Sequence, residues 1–268
     1  MKAQQLLREI EKLEATRRAR RVEVKDDRVA FARLLGIEPD EWQARLLRSD
    51  APQILINCGR QTGKSTIAAV LALHGALIRP RALVLILAPA ERQGKELFSK
   101  VAAFYRTLGY PIPTDSYRKL GMELKNGSRI EALPGTEKTV RGFSAVDLLV
   151  VDEASRVSDE LYHAVRPMLA VSGGRLLMLS TPFGKRGEFY EAWEDGGAAW
   201  ERYEVPASEC PRISAEFLAA ERRAMPERVF LQEFQCMFCE VDDQIFSNEL
   251  VMGALTDEVE PLELGWSW

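Results

Sequence analysis

Four stretches of the chain are apolar without alternation: Gln53 to Asn57, Ala82 to Pro89, Asp147 to Ala154 and Arg175 to Pro182. A strand with one wet face alternates polar and apolar positions, whereas a strand buried on both faces does not. These runs therefore predict the interior of a parallel sheet. Between them the period becomes helical, over Ser65–Ile78 and Ala90–Leu108. Strand-helix alternation of this kind predicts an α/β doubly wound fold with a mostly parallel central sheet. One segment breaks the rhythm. From Met122 to Leu133, two short strand-like runs flank Asn126-Gly127, which predicts a hairpin with a type I′ turn. Beyond Pro211, "ISAEFLAAERRAMPERVFLQEFQCMF" is amphipathic and helical, and an acid-rich irregular tail follows. At the other end, Gln5–Arg21 reads as a helix with Leu6, Ile10 and Leu13 on one stripe, closing in "RRARR". Either it is a solvated helix docked by one face, or its basic end contacts DNA or a partner.

Composition narrows the picture modestly. The 268 residues allow one large domain or a core with a small appendage. A net charge of −4 gives nucleic-acid binding no support, yet a local basic patch would suffice for it. Cys236 and Cys239 form a CxxC, but zinc takes four ligands and the chain has only two histidines, His74 and His163, each inside an apolar helical pattern. With Cys58 and Cys210 they read as small buried hydrophobes. No apolar run approaches the roughly 20 residues of a membrane span. The charged amino terminus is not a secretory signal, so the expected location is a cytoplasm.

The chemistry begins in "ILINCGRQTGKST", Ile54 to Thr66. A strand, a tight loop and a helix opening at Lys64 form the setting of a phosphate-binding loop, G-x-x-x-x-G-K-[ST], except that Cys58 occupies the first glycine position. The backbone N–H groups of Cys58, Gly59, Arg60, Gln61, Thr62 and Gly63, with the helix start at Lys64, Ser65 and Thr66, would cradle phosphates. Lys64 would meet the outer phosphates and Ser65 would place its hydroxyl on Mg²⁺. Gly63 permits close approach, and Gly59 is expected to relieve the turn that Cys58 cannot. The second half is "LLVVDE", where Asp152 and Glu153 end a buried strand, the edge at which open α/β sheets bind ligands. Asp152 would hold Mg²⁺ through water, and Glu153 would orient and deprotonate the attacking water. With a further buried strand between the halves, the expected fold is a P-loop NTPase of the ASCE, RecA-like kind. Ser180 and Thr181 end the next strand, where they either sense the γ-phosphate or only form a turn with Pro182 and Gly184. Gln43 in "WQARLL" either hydrogen-bonds an adenine edge or is an exposed helix glutamine.

Together, "WQ", "GRQTGKS", the "NGS" turn followed by "RG", "LLVVDEA", "LSTP", "FLQEF" and "DDQIFS" resemble the ATPase half of the large terminase subunit of tailed phages. The resemblance covers roughly Trp42 to Ser247. It implies an ATP- and Mg²⁺-dependent motor that drives double-stranded DNA into a procapsid in the host cytoplasm. It also implies a homo-oligomeric, pentameric ring docked on a portal protein, with a small terminase subunit recognising the viral DNA. Members of that family commonly replace the first loop glycine, in agreement with Cys58. Arg60 is implied to lie near the phosphates of its own subunit. Arg141, before Gly142, is implied to reach a neighbour's ATP as an arginine finger, worth about 10³–10⁵ in rate where one is supplied.

Arg118 and Lys119 are candidates for DNA contact, with a solvated loop as the alternative. The expected organisation is a charged helix over 1–27, a P-loop ATPase core over 28–209, a helical lid subdomain over 210–247, and a linker or tail over 248–268. Full-length large terminases carry a second, nuclease domain. Asp242, Asp243, Asp257 and Glu258 sit in the irregular tail, and nuclease activity is not expected. A DEAD-box-like helicase core and a non-catalytic nucleotide switch are the competing readings. The first needs two tandem cores, and the second has no use for Glu153.

Overall fold

The computed structural model describes residues 27–134, 142–240 and 253–254. The helix expected over Gln5–Arg21, Arg141, and the acid-rich stretch holding Asp242, Asp243, Asp257 and Glu258 lie outside them.

Among the described residues the strands are β1 (Gln53–Cys58), β2 (Leu83–Ala88), β3 (Thr114–Arg118), β4 (Gly121–Leu124), β5 (Arg129–Pro134), β6 (Leu148–Asp152), β7 (Arg175–Ser180) and β8 (Glu201–Val205). They form one sheet in the order β3-β4-β5-β2-β6-β7-β1-β8. Every neighbouring pair from β5 to β8 is parallel, and β3–β4 and β4–β5 are antiparallel. The continuous apolar runs supply β1, β2, β6 and β7, buried throughout except at the first residue of β1 and of β7. Because β7 lies between β1 and β6, the phosphate-loop strand and the acidic strand are one strand apart.

Helices cover both faces. On one side α1 (Arg28–Leu34), α2 (Glu41–Arg48), α3 (Lys64–Ile78) and α4 (Glu91–Thr107) pack on Ile54, Ile56, Val84, Ile86 and Val150. On the other, α5 (Asp159–Val165) and α6 (Gly187–Glu194) pack on Leu55, Leu85, Leu87, Leu149 and Val151. The two sets interleave along each strand, as a period of two requires. Helices α7 (Ala215–Ala224) and α8 (Glu227–Gln235) form the amphipathic appendage. Its apolar contacts are a small separate cluster of Ala207, Phe230 and Phe234 joined by Ile213, Leu218 and Met225.

The hairpin forms where expected, but its turn differs. Leu124 N–H donates to the Ser128 carbonyl at 2.8 Å, and Met122 and Glu123 pair with Ile130 and Arg129, which leaves Lys125, Asn126 and Gly127 as the loop. Positive φ occurs at Gly127 (+81°) and not at Asn126. The type I′ expectation is therefore corrected to a loop with one left-handed glycine. The reason is tertiary: Asn126 Nδ2 donates to the Ala76 carbonyl at 2.9 Å near the end of α3, and Arg81 N–H donates to the Asn126 carbonyl at 3.1 Å.

Candidate active site

The site is assembled at the carboxyl ends of three parallel strands. β1 delivers the loop, β6 delivers Asp152, and β7 delivers Ser180 and Thr181. Loop geometry comes first. Cys58 is fully buried in the larger core cluster, so its side chain fills hydrophobic space, within reach of the Thr62 side chain. Burial pushes its thiol up to about 12, which leaves it protonated and inert. The turn takes its left-handed residues further on, at Gln61 (φ +62°) and Gly63 (φ +94°). Gly59, expected to relieve the turn, instead allows close packing: a Cβ there would lie 2.8 Å from the Phe234 carbonyl oxygen and 2.9 Å from Ala207 N. Its own N–H donates to the Val205 carbonyl at 3.0 Å, and Arg60 N–H donates to the Glu233 carbonyl at 2.8 Å. Strand β8 and helix α8 thereby fix the loop's entry.

Thr62 locks the turn from within, its hydroxyl donating to the Gly59 carbonyl at 2.9 Å. Its carbonyl accepts from Gln43 Nε2 at 3.3 Å and from Arg212 Nη2 at 3.0 Å. Gln43 is buried, at 3% exposure, and its Oε1 accepts from Asp40 N–H at 3.0 Å. The exposed-glutamine alternative is thus corrected, and the amide is already engaged on both sides between the cap of α2 and the loop. Gly63 ends the turn where a Cβ would sit 2.8 Å from Gln43 Nε2. Helix α3 starts at the next residue; Thr66 N–H already donates to the Gly63 carbonyl at 3.0 Å, whereas the N–H groups of Lys64 and Ser65 have no intrahelical acceptor. They point with the positive end of the helix dipole toward the strand ends.

Opposite the loop stand the acids. Asp152 is buried at 6% exposure, and its carboxyl is pushed up to about 6, chiefly by burial and then by the neighbouring Glu153 charge. Glu153 adopts the left-handed conformation (φ 51°, ψ 44°), unusual for a residue with a side chain. Lys64 Nζ lies 3.6 Å from its Oε1, and Arg156 Nη1 lies 3.2 Å from its Oε2. Ser180 Oγ is 3.4 Å from that second oxygen and 2.7 Å from Ser155 Oγ. Both Ser180 and Thr181 are buried, and Ser155 Oγ donates to the Thr181 carbonyl at 2.8 Å. The predicted residues of the loop, the acidic pair and the polar pair therefore converge.

Other predicted residues sit elsewhere. Arg60 turns toward the appendage, its Nε 2.6 Å from Glu233 Oε2. Burial draws the Glu233 carboxyl upward, but Arg60 and then Arg156 outweigh it and hold the group below the usual carboxylate range. Arg118 pairs with Glu131, and Lys119 Nζ lies 2.9 Å from Glu91, so each cation already faces an acid. Sequence reasoning missed three residues: Arg156, Glu233 and Arg212. The one available signal was local, an arginine three positions after Glu153, the spacing of a shared helical turn.

A strand-interposed parallel sheet, a Gly-Lys-Ser loop and an Asp-Glu strand end define the fold of a P-loop NTPase. The family described as "Terminase large subunit, T4likevirus-type, N-terminal" matches residues 55–251. The chain belongs to that family. It is 27% identical over 254 residues to the large terminase subunit of Thermus phage G20c, covering 81% of this chain and 52% of that protein. It is 26% identical over 195 residues to that of Escherichia phage T5, covering 70% and 44%. The chain thus spans about half the length of these relatives. In fold it is similar to the large terminase ATPase domain of Thermus phage P74-26, with a TM-score of 0.70 at 24% identity, covering 78% of this chain and 98% of that one. It is also similar to the large terminase of bacteriophage HK97, with a TM-score of 0.63 at 15% identity, covering 75% and 51%. The large terminase of a thermophilic bacteriophage, solved in complex with ADP, matches with a TM-score of 0.62 at 10% identity, covering 78% and 52%.

Proposed function

We propose that the chain is the ATP-hydrolysing motor part of a large terminase subunit, which drives double-stranded DNA into a procapsid in the host cytoplasm. The observation that carries this reading is Lys64 of the loop and Glu153 of the acidic strand end facing each other at 3.6 Å across one intervening strand. Family membership favours it over a helicase core, and a carboxylate poised beside the loop favours it over a nucleotide switch. Membership also supports portal, small-subunit and ring partners. The expected organisation, an ATPase core over 28–209 followed by a helical lid, is part of the proposal.

Phosphates of ATP would lie on the loop N–H groups beyond Arg60 and on the start of α3, since those of Gly59 and Arg60 are held by Val205 and Glu233, and would draw Lys64 away from Glu153. Glu153, relieved of that contact, would take a proton from the attacking water. Mg²⁺ fits the site, because Asp152 is a buried carboxylate under electrostatic pressure and hard cations seek such oxygens. Asp152 and the Ser65 hydroxyl would hold it, and the ion would neutralise phosphate charge. Ser180 and Thr181, at the end of β7 beside Glu153, would sense the γ-phosphate. Gln43 is proposed to brace the loop.

The test is a pair of variants read by nucleotide binding and by hydrolysis. Lys64→Ala should lose ATP binding, and unchanged affinity would move the phosphate site elsewhere. Glu153→Gln should bind ATP yet hydrolyse it about 10²–10⁴-fold more slowly, as loss of a general base predicts. A wild-type rate in that variant would remove Glu153 from the chemistry.

A further inference from the structure

Arg156 has been given no role so far, yet it contacts Glu153 and three residues around it, Thr181, Phe183 and Glu233. Nη1 lies 3.2 Å from Glu153 Oε2 and 3.4 Å from Thr181 Oγ1. Nη2 lies 3.2 Å from Glu233 Oε1 on helix α8. Its guanidinium carbon stacks 4.6 Å from the centre of the Phe183 ring. Only 27% of the side chain is exposed, so these contacts fix it in place.

Glu153 needs such a partner. Its left-handed backbone is strained in a residue bearing a Cβ, and conformations of this kind persist only where the surroundings over-determine them. Its carboxylate is shared between two cations, Oε1 with Lys64 and Oε2 with Arg156. A bound triphosphate competes for Lys64 alone, since Arg156 is tied to Glu153, Thr181 and Glu233. Nucleotide binding would then release Oε1 toward water while Oε2 stays anchored by Arg156 and Ser180. That gives the carboxylate one free oxygen in a fixed orientation. Glu233 adds a condition, because it belongs to the helical appendage and holds the far side of the same guanidinium.

We propose that Arg156 is the positioning residue for Glu153, and that through Glu233 it makes the carboxylate's orientation depend on how α8 is seated. The proposal rests on the reading of Glu153 as the water-activating group.

The test is single-turnover ATP hydrolysis with protein in excess, alongside nucleotide dissociation constants and thermal melts. The series is wild type, Arg156→Ala, Arg156→Lys, Glu233→Gln, the Arg156→Ala/Glu233→Gln double variant, and Glu153→Gln. Arg156→Ala should slow the chemical step about 30- to 100-fold, the scale of a misplaced catalytic group, with ATP affinity unchanged. Arg156→Lys should recover part of the rate, since an ammonium cannot span both carboxylates. Glu233→Gln should slow the wild type more than it slows Arg156→Ala, because the two share one pathway. A wild-type rate for Arg156→Ala overturns the proposal, as does a loss confined to ATP affinity or melting temperature. If Arg156→Ala fails to fold, Arg156→Lys decides, with Glu233→Gln compared in the wild-type and Arg156→Lys backgrounds, and wild-type rates for Arg156→Lys and Glu233→Gln overturn the proposal. If Glu153→Gln itself hydrolyses normally, the base reading has failed. An inert Glu153→Gln beside a fully active Arg156→Ala would sink only the positioning role.

Discussion

At the scale of single residues, Cys58 carries the clearest lesson. The strict loop pattern puts glycine there because a tight turn needs conformational freedom, but in this chain the freedom is exercised at Gln61 and Gly63. Position 58 remains the last residue of β1, and its side chain is fully buried. Restoring the pattern with Cys58→Gly should therefore harm the protein. It removes a core side chain and loosens a strand end, at a cost of about 1–3 kcal/mol. ATP affinity should stay the same. Chemical denaturation and equilibrium nucleotide titration check the two halves separately, and tighter ATP binding in the variant would mean the turn does want glycine there. The predicted loop and acidic residues were legible because their chemistry lies in local order: a lysine after glycine, two acids after an apolar strand. Glu233 and Arg212 were not, because they meet partners 77 and 150 residues away, as in Arg156–Glu233 and Arg212–Thr62, and the local spacing of Arg156 to Glu153 does not reveal its contact with Glu233. Spacing along the chain says nothing about such pairs.

At the scale of elements, burial decided what the pattern could reveal. β1, β2, β6 and β7 are covered on both faces, so their sequences are apolar throughout and readable. β3, "TDSYR", has no buried residue, and β8, "ERYEV", buries only Tyr203 and Val205. Both are edge strands, which proteins keep polar to avoid unwanted pairing, and that habit erased the signal. The appendage was legible as helices, whereas its latch was not. Arg212 donates to both oxygens of Asp40, at 2.6 and 2.7 Å, and to the Thr62 carbonyl. One side chain thus ties the start of α2, the phosphate loop and the approach to α7. Because about half of that side chain meets solvent, the ion pair itself is worth little, about 1 kcal/mol or less. Its larger effect is on the loop, where it fixes the carbonyl beside Gly63. Arg212→Ala should shift the melting temperature only slightly while weakening ATP binding several-fold. A fluorescent-nucleotide titration beside a thermal melt separates these effects. Unchanged affinity would show that Gln43 alone braces the turn.

At the scale of the whole molecule, the question is whether one chain is a complete catalyst. Among the described residues, the cations beside Glu153 are Lys64 and Arg156, and Arg60 is paired with Glu233. Arg141 lies outside the described residues, two positions before Phe143, which packs on the second core cluster. A ring in which each subunit lends Arg141 to its neighbour would complete the site, and such a contact is heterologous and closes only by rotation. This predicts that specific ATPase activity rises with protein concentration and falls sharply in Arg141→Ala. It also predicts complementation. Arg141→Ala keeps an intact Glu153 but lends no arginine, whereas Glu153→Gln lends its arginine but cannot hydrolyse. In a random equimolar mixture, about a quarter of the interfaces in a closed ring would join the intact halves. Each variant alone should be nearly inactive, and the mixture should regain about that fraction of the wild-type rate. Activity that is independent of concentration, or a mixture no better than its components, would place the completing charge inside the same subunit. In that event Arg60, freed from Glu233 by movement of α8, is the residue to test next.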